Sequence, residues 1–144
     1  MKASDPPVVV EQTYNASKEK VWNAITDRDE MIQWYFPMIP EFKAKVGFET
    51  VFTVENEGCV FPHRWKVLEA EPCIKISYTW KYDNYEGDGY VTFEIFDDDE
   101  KTRLQLTCTI TEDFDDSIPE FKRESCVGGW EYFIKQSLKE YLEK

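Results

Sequence analysis

Hydrophobic and polar residues alternate with a period of two through the middle of the chain. In residues 74–81 the apolar positions are Ile74, Ile76, Tyr78 and Trp80, and the polar ones are Lys75, Ser77, Thr79 and Lys81. Such alternation predicts a β-strand with one buried and one wet face. Further strands are predicted over residues 48–55, 60–70, 89–96 and 102–111, and a first strand over residues 8–14, which are rich in Val and Thr. No helical pattern separates the last five of the six strands, so they are expected to form an antiparallel meander.

Two short helices are predicted between the first strand and the meander. Ser17 is the expected N-cap of the first, whose apolar face includes Val21 and Ile25 and which ends near Asp27. The second runs from about residue 29 to residue 35, before Pro37 and Pro40 stop it.

A long amphipathic helix is predicted at the end of the chain. Residues 117–120 have the form of a capping box with proline in the first turn, so the helix is expected to run from Ser117 to about Glu143. Its apolar positions recur in steps of three and four: Val127, Trp130, Phe133, Ile134, Leu138, Tyr141 and Leu142. Gly128 and Gly129 each cost about 1 kcal/mol relative to alanine in a helix. Close approach of the Gly129 backbone to the sheet would offset this cost, and a kink is the alternative.

The predicted order is therefore β-α-α-β-β-β-β-β-α, an α+β fold. The chain has no internal repeat and no linker, so residues 1–144 are expected to form a single domain.

Composition narrows the range of functions. The formal net charge of −12 disfavours binding to nucleic acids and to anionic lipids. Residues 1–10 lack the pattern of a signal peptide, and no apolar run is long enough to cross a bilayer, so we expect a cytoplasmic protein without membrane insertion. Ten Phe, eight Tyr and five Trp exceed what a compact core usually needs, and surplus aromatic side chains can line an apolar ligand site.

The potential metal ligands are few and scattered. Cys59, Cys73, Cys108 and Cys126 form no CxxC pair, and His63 is the only histidine. We therefore predict no metal site and no cofactor, and we expect most of the four cysteines to be buried free thiols. The acidic run 97–100 lacks the glycine and the spacing of a calcium loop, so a solvated hairpin tip is favoured.

The chain resembles the activator-of-Hsp90-ATPase-like family of the START/Bet v1-like (SRPBCC) superfamily over about residues 8–143. The matching segments are Ala16–Asp27, Trp34-Tyr35, Val46-Gly47-Phe48, Val67–Pro72, Tyr78-x-Trp80, Val91–Glu94, Thr102–Leu104 and Gly129-Trp130. Two positions depart from the family pattern: Phe48 replaces the second glycine of a Val-Gly-Gly turn, and Cys108 stands where many members carry histidine.

The resemblance implies a helix-grip fold, in which a curved antiparallel sheet wraps around the long C-terminal helix and leaves a hydrophobic cavity. Members of the superfamily include binders of apolar molecules, polyketide cyclases or aromatases, and a domain that stimulates the Hsp90 ATPase. The fold alone does not choose among these functions.

Candidate ligand-binding residues are those that converge if the sheet bends around the helix. They are Trp34, Phe52, His63, Trp65, Tyr78, Trp80, Phe93, Trp130, Phe133 and Ile134. Periodicity cannot distinguish a cavity from a filled core. The alternative is therefore that the same side chains pack into a solid core.

Binding of a small hydrophobic or aromatic molecule is the function that these observations favour. A cyclase-type enzyme is the alternative, with His63, Tyr78 or a carboxylate as the candidate acid or base. No orienting partner for His63 can be named, and a purely structural histidine is favoured. An Hsp90-type co-chaperone is a further alternative, and a homodimer is compatible with the sequence. We expect that the protein is not an enzyme.

Overall fold

The computed structural model describes residues 1–144 and contains one seven-stranded antiparallel sheet. Its strands are β1 (Val8–Tyr14), β2 (Glu49–Asn56), β3 (Cys59–Glu71), β4 (Lys75–Thr79), β5 (Lys81–Tyr82), β6 (Asp88–Asp98) and β7 (Lys101–Glu112). They lie in the order β1-β7-β6-β4-β3-β2, and β5 also pairs with β3. The sheet is curved and faces a C-terminal helix, which confirms the predicted α+β helix-grip fold.

The two short helices α1 (Lys18–Thr26) and α2 (Arg28–Trp34) follow β1, as predicted. The Ser17 side chain accepts a hydrogen bond from the Lys20 amide at 3.2 Å, which confirms it as the N-cap of α1. Asp27 ends α1 and caps α2 by accepting from the Asp29 amide at 3.0 Å. No helix in the molecule is both long and apolar enough to cross a bilayer.

The strand predicted over residues 74–81 is divided in two at Trp80. The Trp80 amide donates to the carbonyl of Gly89 at 2.8 Å, and the chain then continues as β5. In β5, Tyr82 pairs with His63 of β3, while β4 pairs with β3 beyond a bulge between Val67 and Glu69. This break brings Tyr82 beside His63.

The C-terminal helix begins later than the sequence predicts. Ser117 does not cap it, because its hydroxyl donates to Asp115 at 2.6 Å instead. Pro119–Phe121 form a separate 3-10 turn, held by Phe121, which is buried against Phe61 and Phe114. The helix itself consists of α3 (Arg123–Glu131), a π-helical segment (Tyr132–Ser137) and α4 (Leu138–Leu142).

The wide π-helical turn is supported from two sides. The buried Tyr14 hydroxyl donates to the carbonyl of Ile134, and the Ser137 hydroxyl donates to the carbonyl of Trp34 at 2.6 Å. These bonds fix the second half of the helix to β1 and α2. They satisfy polar groups that would be costly to bury unpaired.

Most of the inner face of the sheet packs into one apolar core with α1, α2 and the C-terminal helix. A smaller cluster of Phe61, Phe114 and Phe121 closes the end of the molecule beside the start of α3. The space between these two clusters holds the candidate site.

The backbones of β6 and β7 approach each other so closely at Gly89 that no side chain fits there. A Cβ at this position would lie 2.5 Å from the carbonyl oxygen of Thr109. We therefore expect Gly89→Ala to lower the free energy of unfolding by about 1–3 kcal/mol, as overpacking usually does. Urea unfolding measures this change. Gly128→Ala is the matched control, because a Cβ there meets nothing within 4 Å. Equal stability of the Gly89→Ala variant and the wild type would contradict the close approach.

Candidate functional site

An apolar cavity of about 150 Å³ lies between the inner face of the sheet and the start of the C-terminal helix. The strands β3, β5, β6 and β7 form one side, and the 3-10 turn and α3 form the other. The lining residues are Met1, Phe36, His63, Trp80, Tyr82, Gly89, Cys108, Ile110, Phe114, Glu120, Ser125, Cys126, Gly129, Trp130 and Phe133.

Aromatic rings from several elements wall the inner end of the cavity. The rings of Trp80 and Trp130 meet edge to face at 5.3 Å, and Trp130 contacts Phe133 at 6.0 Å. Phe36, which follows α2, lies 5.3 Å from the His63 ring and 5.2 Å from Phe133. Each ring is held by its neighbours, so the wall is formed before any ligand enters.

The mouth of the cavity lies along α3. Ser125 and Gly129 are the exposed members of the lining, and a Cβ at Gly129 would meet nothing within 4 Å. The expectation that Gly129 allows the helix to approach the sheet closely is therefore wrong. The glycine leaves open space instead, so a larger side chain at position 129 would not clash with the sheet.

His63 supplies a hydrogen-bond acceptor to the cavity. Its Nδ1 lies 2.9 Å from the carbonyl oxygen of Phe61, so Nδ1 donates and the neutral ring keeps Nε2 as an acceptor. Burial lowers the pKa of His63 to about 4, so the ring is neutral at pH 7. The ring stacks on Phe52 at 5.0 Å, and no carboxylate is bonded to it.

Tyr82 supplies a donor next to this acceptor. Its hydroxyl oxygen accepts from Trp80 Nε1 at 2.7 Å, and the hydroxyl proton has no protein acceptor. Burial raises the pKa of Tyr82 well above its ordinary value, so the group stays a neutral donor. The rings of His63 and Tyr82 are 4.6 Å apart, which places an acceptor and a donor on the same side of the cavity.

Two free thiols also face the cavity, Cys108 from β7 and Cys126 from α3. The neighbouring Cys108 thiol lowers the pKa of Cys126. The neighbouring Cys126 thiol and burial raise the pKa of Cys108. The expectation that most cysteines are buried is wrong. Only Cys108 is buried, whereas Cys59 is exposed and Cys73 and Cys126 are partly buried.

Four of the ten candidate binding residues line the cavity: His63, Trp80, Trp130 and Phe133. The other six lie in the packed core: Trp34, Phe52, Trp65, Tyr78, Phe93 and Ile134. The centre of the space between sheet and helix is filled because Tyr35 and Phe42, on the segment after α2, insert there. Tyr35 stacks at 5.4 Å on Trp65, and Phe42 meets Tyr78 at 5.7 Å.

Several lining residues were not predicted, among them Phe36, Tyr82, Cys108, Ile110 and Cys126. The alternation of β7 contained the signal for Cys108 and Ile110, which are in phase with Leu104 and Leu106. Cys126 lies one helical turn before Trp130. No such signal marked Phe36, which lies in an irregular segment. No group of three or more His, Cys, Asp or Glu side chains is arranged to hold a metal ion.

The family model of Activator of Hsp90 ATPase homolog 1-like proteins matches residues 15–143, so the fold and the sequence together define a START/Bet v1-like domain. The chain belongs to the Activator of Hsp90 ATPase homolog 1-like family. No match was found among proteins with curated descriptions.

Solved structures with similar folds cover nearly the whole chain. A protein from Chromobacterium violaceum is 21% identical with a TM-score of 0.80, and the match covers 96% of this chain and 97% of that one. DynU16, from the dynemicin biosynthetic locus, is 21% identical with a TM-score of 0.77, over 97% of this chain and 48% of that one. The Aha1 dimer from Colwellia psychrerythraea is 20% identical with a TM-score of 0.70, over 96% and 97%. At these identities the likeness shows the fold alone.

The pH dependence of folding follows from the buried His63. An unfolded histidine titrates near pH 6.5, whereas the folded state binds this proton only near pH 4. The stabilisation from the neutral buried ring is thus complete above pH 6.5 and is lost as the pH falls towards 4. Between pH 8 and pH 5 we expect a loss of about 2 kcal/mol from this group.

Urea unfolding across this pH range measures the loss, with His63→Gln as the control. The carboxylates titrate in both proteins, so the difference between their curves isolates the imidazole. Parallel curves from pH 8 to pH 4.5 would show that the pKa of His63 is not lowered.

Proposed function

We propose that this protein binds one small, neutral and largely apolar molecule in the cavity beside Gly129, and acts as a carrier, a sequestering protein or a sensor. The observation that carries the proposal is the cavity itself, about 150 Å³ in volume and walled by aromatic rings. An apolar protein cavity of about 150 Å³ is large enough for benzene. Pockets for drug-sized ligands begin at about 300 Å³. The expected ligand therefore has a single ring or a short branched chain.

The polar groups of the lining further restrict the range of ligands that could bind. His63 Nε2 can accept one hydrogen bond and the Tyr82 hydroxyl can donate one. A phenolic or similar hydroxyl group could use both, because it is itself a donor and an acceptor. An anionic ligand is disfavoured, since the lining contains no Lys or Arg side chain and the chain carries a net charge of −12.

Binding is better supported than a cyclase-type reaction. A general acid or base works best with a pKa near the working pH and needs an orienting partner. His63 has a pKa of about 4, and its Nδ1 is bonded to a backbone carbonyl rather than to a carboxylate. The volume also suits one ring rather than a polyketide chain. An Hsp90-type interaction has only the family description behind it, and the cavity adds nothing to it.

Native mass spectrometry of freshly purified protein tests whether a small molecule is retained. Titration calorimetry with phenol, toluene and benzoate then tests the chemistry of the site. We expect phenol to bind more tightly than toluene and benzoate to bind least. Lys139→Ala, at an exposed ion pair on α4, is the control variant and should bind like the wild type. Absence of saturable binding for all three compounds would contradict the proposal. A homodimer and a cytoplasmic location remain expectations, which light scattering and cell fractionation would test.

A further inference from the structure

We propose that Met1 is a gate between the apolar cavity and a polar surface hollow, and that it limits the length of the ligand. When the N-terminal strap, residues 1–7, is displaced, a ring-shaped ligand can extend an unbranched tail from the cavity into the hollow. The inference rests on the proposed function, because the ring of such a ligand must first bind in the cavity.

Met1 is the one residue that lines both spaces. Its side chain is only 9% exposed and packs against the aromatic cluster of Phe61, Phe114 and Phe121. The hollow on the surface contains about 440 Å³ of solvent-open space. Its other lining residues are Lys2, Asp5, Asp116, Lys122, Arg123 and Glu124. The Met1 side chain therefore stands between an apolar space and a polar one.

The strap is attached to the rest of the protein by few contacts. The Phe114 amide donates to the Met1 carbonyl at 2.8 Å, and the Ala3 amide donates to the Asp113 carboxylate at 2.7 Å. The Met1 amino group also donates to Asp116 at 2.8 Å. No helix or strand forms before β1, and five of the seven strap residues are exposed. Segments with so few buried contacts open far more often than the whole domain unfolds.

Methionine is well suited to such a gate. Its side chain is unbranched and flexible, and it packs through dispersion rather than through directional bonds. An unbranched alkyl tail has a similar thickness and polarity, so it could replace Met1 against the same aromatic rings. Met1 belongs to the smaller aromatic cluster and not to the main core, so its displacement leaves the core packed.

The hollow also indicates how the tail should end. Its lining contains three basic and three acidic side chains, which leaves no excess of either sign. A tail that reaches it is therefore expected to end in a neutral polar group, such as a hydroxyl or an amide. The ligand class is then a small phenol-like ring that carries an unbranched tail with a neutral polar end.

Calorimetry with phenol and 4-butylphenol tests the gate in the wild type and in Met1→Ala. Both proteins are released from an N-terminal fusion by cleavage directly before residue 1, so that they differ only in the side chain. Phenol should bind both with similar affinity. Met1→Ala should bind 4-butylphenol at least about tenfold more tightly than the wild type, because each buried methylene adds about fourfold to affinity and no side chain must be displaced. An equal ratio of the two affinities in both proteins would overturn the proposal.

A tail with a hydroxyl end tests whether the tail reaches the hollow. In Met1→Ala, 4-(4-hydroxyphenyl)butan-1-ol should bind about as tightly as 4-butylphenol, because its terminal hydroxyl stays solvated. Binding at least about tenfold weaker would mean that this hydroxyl is buried without a partner. The tail would then end in an apolar space, and the proposed route into the hollow would be wrong.

Amide exchange shows directly whether the strap opens. The Phe114 amide proton reports opening because it donates to the Met1 carbonyl. In the wild type, saturating 4-butylphenol should speed its exchange at least about tenfold, whereas saturating phenol should not. Asp113→Ala, which removes a tether and keeps Met1, should speed this exchange without ligand. Asp97→Ala, at an exposed carboxylate near the opposite end of β6, is the matched control. Unchanged Phe114 exchange with 4-butylphenol bound would overturn the gate.

Phenol distinguishes failure of this proposal from failure of the proposed function. If phenol binds the wild type but Met1→Ala gains no affinity for 4-butylphenol, the gate proposal fails and the binding proposal stands. If neither compound binds either protein, both proposals fail. Binding of phenol together with a gain for 4-butylphenol and faster Phe114 exchange supports both.

Discussion

Replacing Gly129 with leucine should reduce the affinity for small aromatic ligands at least tenfold while leaving the protein as stable as the wild type or more so. The leucine side chain would extend into the mouth of the cavity, where a Cβ meets nothing within 4 Å. Leucine is also a better helix former than glycine by about 0.5–1 kcal/mol. Loss of binding would therefore arise from blocked space and not from unfolding. Calorimetry with phenol measures the first effect and urea unfolding the second.

Gly128→Leu is the matched control for this experiment. Gly128 has the same helical setting and the same open surroundings, but it does not line the cavity. Both variants should gain similar stability, and only the Gly129 variant should lose binding. Equal affinity for phenol in the two variants would mean that ligands enter or bind elsewhere. Marked destabilisation of Gly129→Leu alone would instead restore the idea of close packing against the sheet.

The fold was largely predictable because it depends on periodic patterns. Alternation indicated the strands of the meander over residues 48–111, and the Val and Thr content indicated the strand over residues 8–14. Local side-chain chemistry identified the cap of α1 at Ser17. The start of the last helix was predicted wrongly because Ser117 had a competing partner, Asp115, only two residues away. A capping-box pattern cannot show which of two nearby groups takes the hydroxyl.

The candidate site was only partly predictable, since its shape depends on what fills the rest of the space. Periodicity placed His63, Trp80, Trp130 and Phe133 on the inner face, and these four line the cavity. It placed Trp65 and Tyr78 on the same face, but both are covered by Tyr35 and Phe42 from an irregular segment. The position of such a segment is set by tertiary packing and not by any repeat in the sequence.

Polar groups differ between the packed centre and the cavity, although the buried Trp65 Nε1 in the centre also lacks a hydrogen-bond partner. In the centre, the hydroxyl groups of Tyr35 and Tyr78 bond to each other at 3.0 Å, so both are satisfied without a ligand. At the end near α3, His63 Nδ1 and the Tyr82 hydroxyl oxygen each form a hydrogen bond within the protein. His63 Nε2 and the Tyr82 hydroxyl proton have no protein partner. Buried polar groups are usually paired. A ligand or solvent in the cavity can bond to His63 Nε2 and to the Tyr82 hydroxyl proton.

Tyr35→Ala should have the largest effect on stability, because Tyr35 plugs the centre of the space between sheet and helix. Its ring contacts six other aromatic rings: Trp34, Phe36, Trp65, Trp80, Trp130 and Phe133. Removing a large buried aromatic side chain costs about 3–5 kcal/mol. The new void would border Phe36, Trp80, Trp130 and Phe133, which also line the existing cavity. We therefore expect the variant to bind naphthalene, which is too large for the native cavity.

Tyr35→Phe is the control for this variant, because it keeps the ring and removes only the hydroxyl. It should cost less, about 1–3 kcal/mol for the unpaired Tyr78 hydroxyl, and it should not admit naphthalene. Urea unfolding gives the stabilities, and quenching of tryptophan fluorescence gives the binding. If Tyr35→Ala is destabilised but gains no affinity for the larger ligand, the surrounding rings have collapsed into the void. The aromatic rings at the inner end of the cavity would then depend on contact with Tyr35 for their positions.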